Sequence, residues 1–168
     1  AFLGLVFDGV ELGLMPVASL SVSQSLLGTA YTPTAGGDWF ARFTAAVKGR
    51  VQVIADDLVT TSARQIDAMA PAGAGNTALI KPNQAGTLTE TREALDAARR
   101  HGWGAIVSAR SGESEDVTIA HLAVGWGVGQ FKVGSFTRSE RMAKWNEMLR
   151  IEEAIGAKSR FAGGSVLP

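Results

Sequence analysis

The stretch SARSGESEDVTIAHLAVGWGVGQFKVGSFTRSERMAKWNEMLRIEEAIG, Ser108 to Gly156, decides the fold, because it sets one cation after each of two short apolar runs. Arg110 follows GAIVS, Lys132 follows QF, and a helix-like segment comes after each. This is the rhythm of βα units, whose strand ends carry polar side chains into a shared site. Two cations at such a site point to an anionic substrate.

The rhythm extends upstream. VQVIA from Val51 ends at Asp56 and Asp57, and TALI from Thr77 ends at Lys81. Burial of parallel strands explains the apolar runs but not the ordered charges at their ends. Thr87 with Glu90 predicts a capping box before LTETREALDAARR, and Thr137 with Glu140 a second before RMAKWNEMLRIEEAIG, closed by Gly156. Strand and helix thus alternate at βαβ spacing, which gives an α/β class.

Four segments together resemble, in the family's own order, the C-terminal part of enolase, the phosphopyruvate hydratase: ADDL, LIKPNQAGTLTET, SARSGESED and GQFKVGSFTRSERMAKWNEMLRIEE. The likeness is dense from Gly49 to Gly156. It implies a partial (β/α) barrel, the C-terminal portion of a TIM-type barrel whose first strands and N-terminal domain are missing. A closed barrel takes about 250 residues, and this chain has 168. The expected division is a truncated barrel domain over 1–156 and a loosely ordered tail over 157–168.

The resemblance also implies roles. Lys81 stands where the family's general base takes the C2 proton of 2-phosphoglycerate. That chemistry needs a neutral amine, which burial or neighbouring cations favour, and Lys132 could supply part of that field. Asp56 matches a metal-ligand aspartate for Mg²⁺, a hard cation that takes carboxylate oxygens. Asp8, in GLVFDGVELGL, is the candidate for the family's first aspartate ligand. Arg110 and Ser111 match the pair that holds the phosphate, where a guanidinium fork suits two oxygens. Lys132 matches the lysine that grips the carboxylate.

The departures are as specific. The family reads SHRSGETED where this chain has SARSGESED, so Ala109 replaces the active-site histidine. In YTPTAGGDW, Pro33, Asp38 and Trp39 are kept while Tyr31 stands in place of a metal-binding glutamate. The family's proton-donating glutamates belong to regions before this chain.

Taken one at a time, the residues read more plainly. Acidic groups before a helix are favoured by its dipole, which alone would account for Asp56 and Asp57. Lys81 and Arg110 alone read as solvated charges. His101, before Gly102, reads as a helix-end interaction and His121 as a packing or surface residue; Asn83 and Gln84 read as loop-ordering groups.

Composition sets outer limits. The chain has 16 Lys plus Arg against 16 Asp plus Glu, so no net charge draws it to nucleic acid or to an anionic membrane. It has no cysteine, which excludes disulfides and fits a cytoplasmic setting. No apolar run approaches the roughly 20 residues of a membrane span. The expected partners are a small phospho-carboxylate and another copy or a complementing chain, because about six strand-like runs leave edges and apolar helix faces, such as Met142, Trp145 and Leu149, uncovered. Three functions fit: an enolase-type lyase completed by other residues, a relative acting on a similar phospho- or phosphono-carboxylate, and an enolase-derived binding or assembly module.

Overall fold

A computed structural model describes residues 37–47 and 49–167, with side chains from Phe40 onward. Asp8, Tyr31 and Pro33 lie outside the described residues. Helix α1 (Gly37–Val47) precedes four strands: β1 (Ile54–Ala55), β2 (Thr77–Ile80), β3 (Gly104–Ser108) and β4 (Gln130–Lys132). Between them run α2 (Ala63–Met69), the short α3 (Pro82–Ala85), α4 (Leu88–Arg100) and α5 (Thr118–Gly125), and α6 (Ser139–Ile155) follows β4. The strands form one sheet in chain order, parallel at every pairing. Parallel neighbours need a crossover, and helices supply each one.

The sequence accounts for most of this. Helix α4 starts where Thr87 accepts the Glu90 N–H at 3.1 Å and donates its hydroxyl to the Glu90 carboxylate at 2.7 Å, so the N-cap half of the expected capping box forms, with the carboxylate on the Thr87 hydroxyl. Its buried face is Thr91, Ala94, Leu95, Ala97 and Ala98, at helical spacing, while Arg99 and Arg100 complement the negative end of the helix dipole. The helix-facing strand residues Ala55, Ala78, Ile80 and Val107 join Ile66, Leu95 and Trp103 in the core.

Three local expectations are corrected. VQVIA pairs only through Ile54 and Ala55, because the Asn76 side chain intercepts the rest: it accepts the Val53 N–H at 2.8 Å and donates to the Val51 carbonyl at 3.1 Å. No capping box opens α6, where Arg138 is the N-cap residue and makes no side-chain capping bond and the Thr137 hydroxyl pairs with Ser135 at 2.9 Å. Residues 157–167 are not a loose tail. Gln130 donates from Nε2 to the Val166 carbonyl at 3.0 Å, and Val166 packs so closely on Gly129 that a Cβ there would collide with its Cγ1. Gly156 does end α6, but at φ 60° and ψ −133° it lies outside the left-handed helical region expected of such a cap, in a conformation open only to glycine.

Helix α5 gives a first testable consequence. The Asp116 carboxylate accepts the Thr118 N–H at 2.9 Å, an Asx turn leading into the helix one residue before its N-cap, Val117. That bond, the Thr118 hydroxyl and the nearby Lys144 charge hold the Asp116 carboxyl below its ordinary value of 3.8. A depressed carboxyl stabilises the fold above its unfolded value, and this contribution is lost as pH falls through the folded one. Asp116→Ala should cost about 0.5–1 kcal/mol at neutral pH, the net worth of one exposed hydrogen bond, and urea titrations should show the gap to the parent closing once pH drops below 3.8.

Candidate active site

In a strand, side chains alternate between faces, so the register of the sheet fixes which strand-end groups share a side. Ile54 lies opposite Thr77, Thr77 opposite Gly104, Ile106 opposite Gln130 and Ser108 opposite Lys132. These positions face away from the helices. Continuing the alternation past the strand ends carries it to Asp56, Lys81 and Arg110, with Lys132 already on it. The four ionisable groups therefore share one end of the sheet and one parity of its faces.

Asp56 and Lys81 meet directly. Lys81 Nζ donates to both Asp56 oxygens at 2.7 Å, with the lysine side chain 11% and the aspartate 38% exposed. The turn after β1 frames this pair. Thr60 and Thr61 have φ of 45° and 53°, a left-handed conformation costly for β-branched residues. In return Thr61 accepts the Lys81 N–H at 3.0 Å and donates to Gln84 Oε1 at 2.7 Å. Gln84 Nε2 in turn lies 3.4 Å from Asp56 Oδ1, in keeping with a loop-ordering role. Neither Thr61 nor its strained turn carried any signal in the sequence, since a threonine pair in DDLVTTS reads as ordinary.

Arg110, Ser111 and Lys132 occupy the adjoining ends of β3 and β4. The Ala109 N–H donates to the Lys132 carbonyl at 2.9 Å, continuing the ladder one step past β3. The Arg110 N–H donates to Glu113 Oε1 at 2.6 Å, which folds the SARSGE segment back on itself. Ser111 and Lys132 are exposed, and Arg110 is partly so. Ala109 is buried, with 8% exposure.

Two basic residues of α6 that were read only as helix-forming hold this region. Lys144, 1% exposed, pairs with Glu113 Oε2 at 3.0 Å and donates to the Ser114 carbonyl at 2.7 Å and the Glu140 carbonyl at 3.1 Å. Arg141 donates to the Val133 carbonyl at 2.8 Å and the Ser111 carbonyl at 3.0 Å. Their spacing of three along one helix face is the signal that could have found them.

The histidines lie elsewhere. His101 caps α4 and meets Asp67 at 2.9 Å; its hydrogen bond, then Arg100, hold the Asp67 carboxyl below its ordinary value. His121 is exposed and pairs with Glu147 at 3.0 Å.

As a Mg²⁺ site the described residues are incomplete. Asp56 is a carboxylate of the right type, but both its oxygens are engaged by Lys81. Among the described residues no three His, Cys, Asp or Glu side chains cluster so as to hold a metal ion. Asp56 alone does not satisfy a cation that takes about six oxygens.

The fold is that of a βα barrel segment with its ionisable groups at the carboxyl ends of the strands. The family profile described as enolase, C-terminal TIM barrel domain, matches residues 32–167. A curated relative, "Enolase" from Mycobacteroides abscessus, is 46% identical over 138 residues, covering 81% of this chain and 32% of that protein. The chain belongs to the enolase family, and its parallel sheet is part of the family's C-terminal TIM barrel. It spans about a third of the curated relative it matches.

Proposed function

We propose that this chain carries the base and the anion-holding half of an enolase-type lyase that converts 2-phosphoglycerate to phosphoenolpyruvate and water. The observation that supports this most is Lys81, largely buried at the end of β2 beside Asp56, within a chain of this family. In this reading Lys81 Nζ removes the C2 proton. Arg110 and Ser111 hold the phosphate, and Lys132 holds the carboxylate. A fixed set of cations at the carbon acid orients the substrate and stabilises the charge that develops on it.

The ion pair constrains the order of events. Lys81 must leave Asp56 before its lone pair can take a proton, and Asp56 must leave Lys81 before its oxygens can take a cation. The family's Mg²⁺ would stabilise a substrate carboxylate as it gains charge. Asp56, with Asp8 as a further candidate, is this chain's contribution to its ligands, and the remainder must come from other residues. The acid that assists loss of the C3 hydroxyl is likewise supplied from outside the matched motifs. A cytoplasmic setting and association with another copy or a complementing chain complete the reading. The outer edges of β1 and β4 are unpaired among the described residues, and Phe136 and Leu149 are 50% and 63% exposed. Sedimentation of the purified chain at increasing concentration should reveal species above one chain; a single-chain species throughout would contradict this part.

A chimera tests the function. Residues 32–167 would replace the matching region of the Mycobacteroides abscessus enolase, with Ala109 retained or changed by Ala109→His. Losing one preorganised group typically costs about 10²- to 10³-fold in turnover, so the Ala109 chimera should be slower by about that factor, and Ala109→His should restore most of it. A folded chimera that stays inactive with the histidine restored would overturn the proposal. If the chimera instead prefers a phosphono-carboxylate over 2-phosphoglycerate, the altered-specificity reading replaces it.

A further inference from the structure

The contacts of Arg141 reach beyond helix packing. Its guanidinium is buried, with 8% exposure for the residue, and its two strong hydrogen bonds go to neutral carbonyls on different segments. Nη1 binds Val133, the residue after Lys132, and Nη2 binds Ser111. The nearest carboxylate oxygen, Oε1 of Glu140, stands 4.0 Å from Nε. Gly134 runs alongside it, where a Cβ would meet Arg141 Cδ and Nε at an ordinary contact distance of 3.6 Å, and the glycine's φ of 104° is one that other residues rarely adopt.

We propose that Arg141 is a positioning residue that sets the separation between the Arg110–Ser111 loop and the Lys132 strand end, and so tunes the affinity of the site for a phospho-carboxylate. This rests on the proposed function of those three residues. The physical reason is the planar fork of arginine, which fixes two acceptors relative to each other in a way that one ammonium on a flexible stem does not. Held from behind by one rigid group, the two loops present their cations at a spacing set by the guanidinium. Its positive charge is partly offset by the Glu140 carboxylate 4.0 Å away, so its effect on the site is chiefly geometric. Arg141 itself touches no substrate in this account.

The test uses the full chain with Arg141→Lys and Arg141→Met, and has two readouts. The first is amide hydrogen exchange at Ala109 and Arg110 relative to Leu79 in β2. Both variants should exchange about tenfold or more faster at the loop with Leu79 unchanged, since the local bonds open without global unfolding. The second is calorimetric affinity for 2-phosphoglycerate, compared with inorganic phosphate. Arg141→Lys, which keeps the charge, should weaken the phospho-carboxylate by about tenfold and phosphate alone by much less, because only the two-ended ligand reads the spacing. Unchanged loop exchange in Arg141→Lys would overturn the positioning role whatever the ligand does. Equal losses for both ligands would also overturn it, since a changed spacing is felt only by the two-ended ligand. If the parent chain binds neither anion while the loop exchange responds, the failure lies in the anion-site reading and takes the affinity claim with it. Should Arg141→Met unfold, Arg141→Lys alone decides.

Discussion

Lys81→Ala is expected to remove the enolase-type turnover supported by this chain, by about 10²- to 10⁴-fold, the usual contribution of a positioned general base. The loss should appear in kcat, with substrate affinity little changed, since the phosphate and carboxylate are assigned to Arg110, Ser111 and Lys132. Arg110→Ala should do the reverse and act chiefly on affinity. The fold should survive Lys81→Ala, because the backbone N–H of residue 81 keeps its bond to Thr61 and Asp56, 38% exposed, can be solvated. Turnover in a chimera with the histidine restored is the measurement, with the Lys81→Ala chimera beside it. Lys81→Ala with near-parental kcat would remove Lys81 from the mechanism.

The second large effect is structural. Lys144→Met should destabilise the chain by about 3–5 kcal/mol, the range for breaking a buried pair from one side. The ammonium is 1% exposed and its partner Glu113 only 13%, so the substitution strands a carboxylate and leaves the Ser114 carbonyl without its donor. Against a total stability of about 5–15 kcal/mol, that loss is severe. Glu113→Gln in the same chain removes the stranded charge while keeping an oxygen for the Arg110 N–H. The double variant should recover about 0.5–3 kcal/mol of the loss, the range of coupling between contacting groups. Urea midpoints of parent, singles and double measure it. Additive losses would show that the pair is not coupled.

Much of this was legible in the sequence because its signals are local and periodic. The run TALI followed by lysine reads as a buried strand with a charged end, and it is one. The box of Thr87 and Glu90 marks the start of α4 within a residue. The second box fails because Thr137 has a nearer partner in Ser135, a competition that spacing does not express. The short β1 is likewise the work of Asn76, a residue 25 positions from Val51. The site divides the same way. Asp56, Lys81, Arg110 and Lys132 were proposed from strand ends and motif order, and the sheet register sets these positions on one side. Thr61, Glu113, Arg141 and Lys144 act through contacts that join separate segments, and a lysine in the middle of RMAKWNEM looks like any solvated helix lysine until its burial is seen. The proposed metal ligand Asp8 falls outside the described residues.

The claim on which the rest depends is that Lys81 moves the C2 proton. Exchange of the C2 hydrogen of 2-phosphoglycerate for deuterium isolates that step from loss of the hydroxyl, so it does not wait on an acid group outside this chain. With Mg²⁺ present, the chimera that carries residues 32–167 and draws its remaining metal ligands from the Mycobacteroides abscessus enolase should catalyse measurable exchange, slowed by Ala109 relative to that enolase, and Lys81→Ala should bring it to the uncatalysed rate. Exchange that continues at the parental rate in Lys81→Ala would contradict the account.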